Sequence, residues 1–173
     1  DVNGFIGLYI VMFSCFVAAS NLPTAFLYYN HPSKGPHPSL MCCSNGAASG
    51  NTLEEAILQG FFELVERDSV ALWWYNRVHK PGVDLDSFQE PYFKEMEDYY
   101  RSMNREYWLL DITSDFGIPS FAALSRRTDQ EAEEIMYGFG CHFDPVLAAL
   151  RALAEMSQVL PLLSGASIDA WKG

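Results

Sequence analysis

"TLEEAILQGFFELVERDSVALWWYNR" occupies residues 52–77. It contains no proline and a single glycine, Gly60, so nothing in it interrupts a helix. On a wheel of about 100° per residue, Ile57, Leu58, Phe61, Phe62, Leu64 and Val65 fall on one broad side. Thr52 with Glu55 three residues later forms a capping box, in which each side chain satisfies a backbone N–H of the first turn. The stretch therefore predicts one long helix that starts at Thr52 and turns this apolar side to the core. Glu55, Gln59, Glu63 and Glu66 gather within about 80° on another side. Carboxylates on one stripe repel each other by roughly 0.2–0.5 kcal/mol per adjacent pair. A solvated acidic face is one reading. A site for a divalent cation is the other, because hard cations such as Mg2+ take carboxylate oxygens and keep phosphates as further ligands. Arg67 then meets a phosphate or pairs with an acid. Glu55 has a sufficient role in the cap.

Outward from this helix the chain alternates irregularly. "SNGAASGNT" (residues 44–52) is either an anion-binding turn ahead of a helix N-terminus or a tight turn that lets the chain enter the helix. It lacks the GK[ST] of a Walker A loop. "KPGVDLDSFQEP" (80–91) reads as a loop and "YFKEMEDYYRSMNR" (92–105) as a second, amphipathic helix. "YWLLDIT" (107–113) and "SFAALSRR" (120–127) read as strands joined by the turn "SDFGIP". "TDQEAEE" (128–134) reads as a charged loop, and "IMYGFGCHF" (135–143) as a strand ending in glycines. "DPVLAALRALAEMSQVLPLL" (144–163) is a third helix with Asp144 as N-cap, Pro145 in the first position and Pro161 ending or kinking it. The pattern is α+β, helices packed on a mixed sheet.

The third helix repeats the acidic theme. Arg151, Glu155 and Gln158 share a face at i, i+4 and i+7, and Val146, Leu147, Leu150 and Leu153 supply the apolar positions.

Composition limits the function. Of 173 residues, 49% are hydrophobic and 14% aromatic, enough for a packed core. Eleven basic against twenty-two acidic residues give a formal charge of −11, which argues against a nucleic-acid footprint. The four cysteines, Cys15, Cys42, Cys43 and Cys141, form no CxxC and read as reduced thiols of a cytosolic protein. His31, His37, His79 and His142 are scattered, with no cysteine at ligand spacing, and no nucleophile elbow is present. Trp73, Trp74 and Tyr75 read as core or interface anchors. Residues 4–20 carry no charge; they suit a buried strand pair bent at Pro23, or a membrane or targeting segment.

The residues from "SNGAASGNT" through "LVERD" resemble the YcaO family, and within it the SagD-like cyclodehydratase branch that makes thiazoles and oxazoles in ribosomal peptides. "LPTAFLYY" (22–29), "ALWWYNR", "VDLDSF", "LLDITSDFGIPSFAALSRR" and "YGFGCHFDPVLAALRALAEMSQ" follow in the family's order. The resemblance implies a YcaO-type mixed α/β domain that binds ATP through Mg2+ held by glutamates of two helices. Its ExxER signature falls on Glu63, Glu66 and Arg67, and its ExxQ signature on Glu155 and Gln158. Glu63, Glu66 and Glu155 are then implied as metal ligands, Gln158 as a nucleotide or metal contact and Arg67 as a charge partner. No further catalytic residue is assigned.

The implied activity is ATP- and Mg2+-dependent cyclodehydration. A Cys, Ser or Thr side chain of a precursor peptide attacks the preceding carbonyl, and the hemiorthoamide oxygen is phosphorylated and leaves as phosphate. The implied partners are the precursor peptide and a leader-peptide-binding protein or domain, in the cytoplasm, with a homo-oligomer also compatible. Departures from the pattern are Gly60, Ala148 and Arg151, where some members carry Ser, Ser and Asn. The expected organisation is an atypical apolar segment over 1–21, a partial YcaO domain over 22–161 and a truncated end over 162–173. The competing expectation is a non-catalytic remnant that serves as a scaffold or partner-binding protein.

Overall fold

A computed structural model describes residues 44–163. Cys15, Cys42, Cys43, His31, His37, the apolar run 4–20, "LPTAFLYY" and the end after 163 lie outside the described residues. Contacts divide the chain into two compact units that meet between Leu64 and Val65, inside the first helix.

Helix α1 runs from Leu53 to Asn76, 24 residues or about 36 Å at a rise of ~1.5 Å per residue. Its start follows the capping box with one change. The Glu55 N–H donates to Thr52 Oγ1 at 3.2 Å, while the Glu55 carboxylate reaches past Thr52 to the Asn51 N–H at 2.8 Å. In the first unit the helix buries Ala56, Gly60 and Phe62. Ile57 and Leu58, expected in the core, are exposed at 42% and 36%. The wheel placed these large apolar residues on one side, but the first turns bury the small Ala56 and Gly60, and backbone comes close at Ala56. Gly50 makes such an approach: a Cβ there would sit 2.6 Å from the Ala56 nitrogen.

The second unit carries a three-stranded antiparallel sheet in the order β1 (Arg105–Asp111), β2 (Ser120–Arg127), β3 (Met136–Cys141). Leu109 pairs with Ala123 and Ala123 with Gly138, so these three share a face with Tyr107, Phe121, Met136 and Gly140. Helices α2 (Pro91–Ser102) and α3 (Pro145–Ser157) cover that face, and Phe93, Tyr100, Leu109, Phe121, Met136, Ala152, Leu153 and Met156 belong to its core. The predicted α+β architecture is observed, with every described strand pair antiparallel.

Several boundaries differ from the sequence reading. The loop 80–91 holds a 3-10 turn over Leu85–Phe88, capped by the Asp84 carboxylate, and residues 81–83 bond to the outer edge of β1. Strand β1 begins at Arg105, whose side chain is buried. α3 opens as predicted, with Asp144 Oδ1 accepting from the Val146 N–H at 2.8 Å, but it ends at Ser157, ahead of Pro161, which sits in a separate turn, α4 (Leu160–Leu163). The glycines of β3 lie within the strand, not at its end. A Cβ on Gly138 would stand 2.1 Å from the Met156 nitrogen, and one on Gly140 2.2 Å from the Ala148 oxygen. Strand and helix backbones therefore touch, which only glycine permits.

The opposite face presents Trp108, Leu110, Ala122, Leu124, Tyr137, Phe139 and Cys141. Trp73 of α1 packs edge-on against Phe139 there, with ring centroids 6.5 Å apart. Trp74 and Tyr75, read as anchors, are 63% and 82% exposed. No helix among the described residues is long and apolar enough to cross a membrane.

Candidate functional site

Glu155 is aimed by the contact between β3 and α3. Gly138 and Gly140 bring the helix so close that the Glu155 carboxylate reaches the strand and accepts a hydrogen bond from the Phe139 N–H at 2.6 Å. Four residues earlier on the same helix, Arg151 Nη1 donates to the Cys141 carbonyl at 3.4 Å. One acidic and one basic side chain of α3 thus satisfy backbone groups of β3 that do not pair with β2.

Gln158 ends α3, its own N–H bonded to the carbonyls of Ala154 and Glu155. Its side chain and that of Glu155 line an open cleft of about 430 Å3 whose other walls are Ile135, Met136, Tyr137 and Val159. The structure therefore brings the two members of the later signature to one cavity. Tyr137, 57% exposed, adds an aromatic face to it.

On α1, Glu66 is half-buried and Arg67 exposed. The charge of Glu66 acts on the Cys141 thiol. Burial pushes this thiol up, a hydrogen bond with Ser120 pulls it down, the negative charge of Glu66 pushes it up again and Arg151 opposes that. Glu66 and Arg151 thus both lie within electrostatic reach of one β3 residue. Glu63 belongs to the first unit, where its Oε2 accepts from the Gly46 N–H at 3.1 Å.

That bond decides part of the reading of the glycine-rich stretch. Gly46 has φ 77° and sits in a turn closed by the Ala47 N–H to the Ser44 carbonyl. Its N–H goes to Glu63, and the Asn51 N–H goes to Glu55. Two backbone donors of the stretch are thus held by carboxylates of the helix, as in a turn that lets the chain enter it.

Two departures from the family pattern have packing reasons. Ala148 is fully buried where its carbonyl meets Gly140, and Arg151 holds the Cys141 carbonyl. Among the described residues no three His, Cys, Asp or Glu side chains gather into a metal-binding group. His79 lies in a separate cleft with Trp73, Trp74, Arg77 and Val78, and His142 Nδ1 accepts from the Asp144 N–H.

The donor set suits a metal–nucleotide group. A carboxylate offers about four lone-pair positions, so the Phe139 bond leaves Glu155 capacity for a cation. Hard divalent cations take such oxygens, and the amide of Gln158 can donate or accept beside them. The sequence reading missed Tyr137 and the two glycines that aim Glu155. The signal was present in "YGFGC", where glycines alternate through a strand directly before the ExxQ helix.

Comparison with known proteins places these features. Residues 19–172 match the family model described as YcaO cyclodehydratase, ATP- and Mg2+-binding. A protein of the tfuA 3′ region of Rhizobium leguminosarum bv. trifolii is 41% identical over 138 residues, covering 75% of this chain and 33% of its own. The solved heterocyclase TruD is 56% identical with a TM-score of 0.76, over 82% of this chain and 20% of its own. YcaO from Methanopyrus kandleri, solved with AMPPCP and Mg2+, is 27% identical with a TM-score of 0.63, over 84% of this chain and 38% of its own. The chain thus spans from a fifth to under two fifths of the length of these relatives. With the family model matched over most of its length, the chain belongs to the YcaO family.

Proposed function

We propose that this chain is the metal- and nucleotide-binding part of an ATP- and Mg2+-dependent cyclodehydratase. Its substrate is a ribosomal precursor peptide, whose Cys, Ser or Thr residues become thiazolines or oxazolines. The observation that carries the reading is the cleft in which Glu155 and Gln158 stand together beside Tyr137. Support comes from the family, and from the YcaO of Methanopyrus kandleri, which was solved with AMPPCP and Mg2+.

In this reading Glu63, Glu66 and Glu155 hold Mg2+, Gln158 touches metal or nucleotide and Arg67 balances charge. Bound Mg2+ supplies neutralisation of phosphate charge. The residues of this chain position the nucleotide so that the terminal phosphoryl group meets the peptide's amide oxygen. The nucleophilic side chain forms its bond to the carbonyl carbon, and the former carbonyl oxygen departs with the phosphoryl group. One ATP becomes ADP and phosphate, and the peptide loses one water. A leader-peptide-binding protein or domain presents the substrate, and the setting is the cytoplasm.

The experiment is to incubate the chain with ATP, Mg2+ and a Cys-containing peptide joined to its leader-binding partner. Loss of one water per ADP formed is expected by mass spectrometry. ADP formation with an unchanged peptide contradicts cyclodehydration, and neither product from a folded chain favours the scaffold role.

A further inference from the structure

Arg105 opens β1 with its side chain only 4% exposed, and a guanidinium so buried needs partners on every side. Its Nε donates to the buried Ser125 hydroxyl on β2 at 3.2 Å. Nη1 lies 3.5 Å from Glu134 Oε2, and Nη2 donates to the Glu134 carbonyl. Arg127 Nη1 reaches the same Oε2 at 3.3 Å. Glu134 is therefore gripped at both its carboxylate and its carbonyl. Its backbone sits at φ 43°, left-handed space that a glutamate adopts only when its surroundings impose it. The next three residues, Ile135, Met136 and Tyr137, are the wall of the cleft that also holds Glu155 and Gln158.

We infer that Arg105 is a positioning residue: by clamping Glu134 it fixes where the wall Ile135–Tyr137 stands relative to Glu155 and Gln158, and so sets the width of the nucleotide cleft. The nucleotide part of this inference rests on the function proposed above. Arg105 does not touch the ligand. It acts through the backbone of Glu134, as outer-layer partners orient groups that bind. Lysine cannot replace it, because an ammonium is a point charge and cannot fork to a hydroxyl, a carboxylate and a carbonyl at once.

The test compares the intact chain with Arg105→Lys, with Glu134→Gln and with Arg126→Met. Glu134→Gln leaves the buried arginine in place. Arg126→Met removes an exposed arginine bonded to Glu133 of the same loop. Hydrogen exchange across residues 134–137 and calorimetric affinity for Mg-ATP are both read. Faster exchange confined to 134–137 in Arg105→Lys and Glu134→Gln is expected, with affinity weaker by about 10-fold in Arg105→Lys and unchanged in Arg126→Met. Unchanged exchange at 134–137 in folded Glu134→Gln overturns the clamp. Equal Mg-ATP affinity in folded Arg105→Lys overturns its effect on the cleft. An intact chain that shows the exchange difference but binds no Mg-ATP contradicts the proposed function and leaves the clamp standing.

Discussion

The Glu155 carboxylate accepts a hydrogen bond from the Phe139 N–H at 2.6 Å, tying the third helix to the strand beside it. If the proposed function holds, Glu155 has two separable duties, this bond to the strand and one to a ligand. Glu155→Gln keeps an oxygen that can accept from Phe139 and removes the charge. Its unfolding free energy should fall by less than about 1 kcal/mol, while Mg-ATP binding is lost. Glu155→Ala should lose both binding and about 1–3 kcal/mol, because the Phe139 N–H is left without its acceptor. Urea unfolding and calorimetry on the same two proteins check the separation.

The same helix–strand contact depends on glycine. At Gly138 and Gly140 an added methyl meets backbone atoms at 2.1 and 2.2 Å, and backbone cannot swing aside as a side chain can. Gly138→Ala and Gly140→Ala should each cost about 3 kcal/mol. Ala154→Ser, on an exposed position of the same helix, should stay within about 0.5 kcal/mol. Denaturant midpoints measure all three.

Asp144 carries the N-cap of that helix, accepting from the Val146 and Leu147 N–H groups at 2.8 and 3.4 Å. Asp144→Ala should cost about 1 kcal/mol and Asp144→Asn only a few tenths. The difference shows directly in thermal unfolding.

Alkaline pH should weaken the fold through Tyr107. Burial, then the charge of Glu97 and the neighbouring Tyr100 and Tyr92, push its phenol up to about 12 from 10.0. The folded state therefore holds this proton after the unfolded chain has released it. Stability from Tyr107 is complete below about pH 10 and is lost as pH rises toward 12. Tyr107→Phe gives up the bond from its hydroxyl to the Phe93 carbonyl. It should be less stable than the parent by about 1 kcal/mol at neutral pH, with a shallower decline above pH 10. Urea titrations at neutral and alkaline pH test the slope.

How much of this was legible in the sequence depended on whether the cause was local. Thr52 and Glu55 announced the start of α1, and Asp144 with Pro145 announced α3, because a cap is written within four residues. The β2 boundaries were read correctly from "SFAALSRR", bounded by a proline turn and a charged loop. Helical spacing put Glu155 and Gln158 on one face, and both line one cleft. Ile57 and Leu58 were misplaced because a wheel gives only angles and cannot show that the chain packs on the side of Ala56. Arg105 was read as the last residue of the second helix, since no local pattern reveals that Ser125 and Glu134 surround it. Gly138 and Gly140 looked like the end of a strand until α3 was seen lying across them.

On the proposed function, glutamates of α1 and α3 bind nucleotide through a divalent cation. The most direct measurement is calorimetric titration of the chain with ATP, with and without Mg2+, beside the Glu63→Gln, Glu66→Gln double variant. Binding that requires Mg2+ and disappears in a folded double variant is the predicted result. Binding that ignores Mg2+ or survives in the double variant, or no binding by the folded parent chain, would contradict the account.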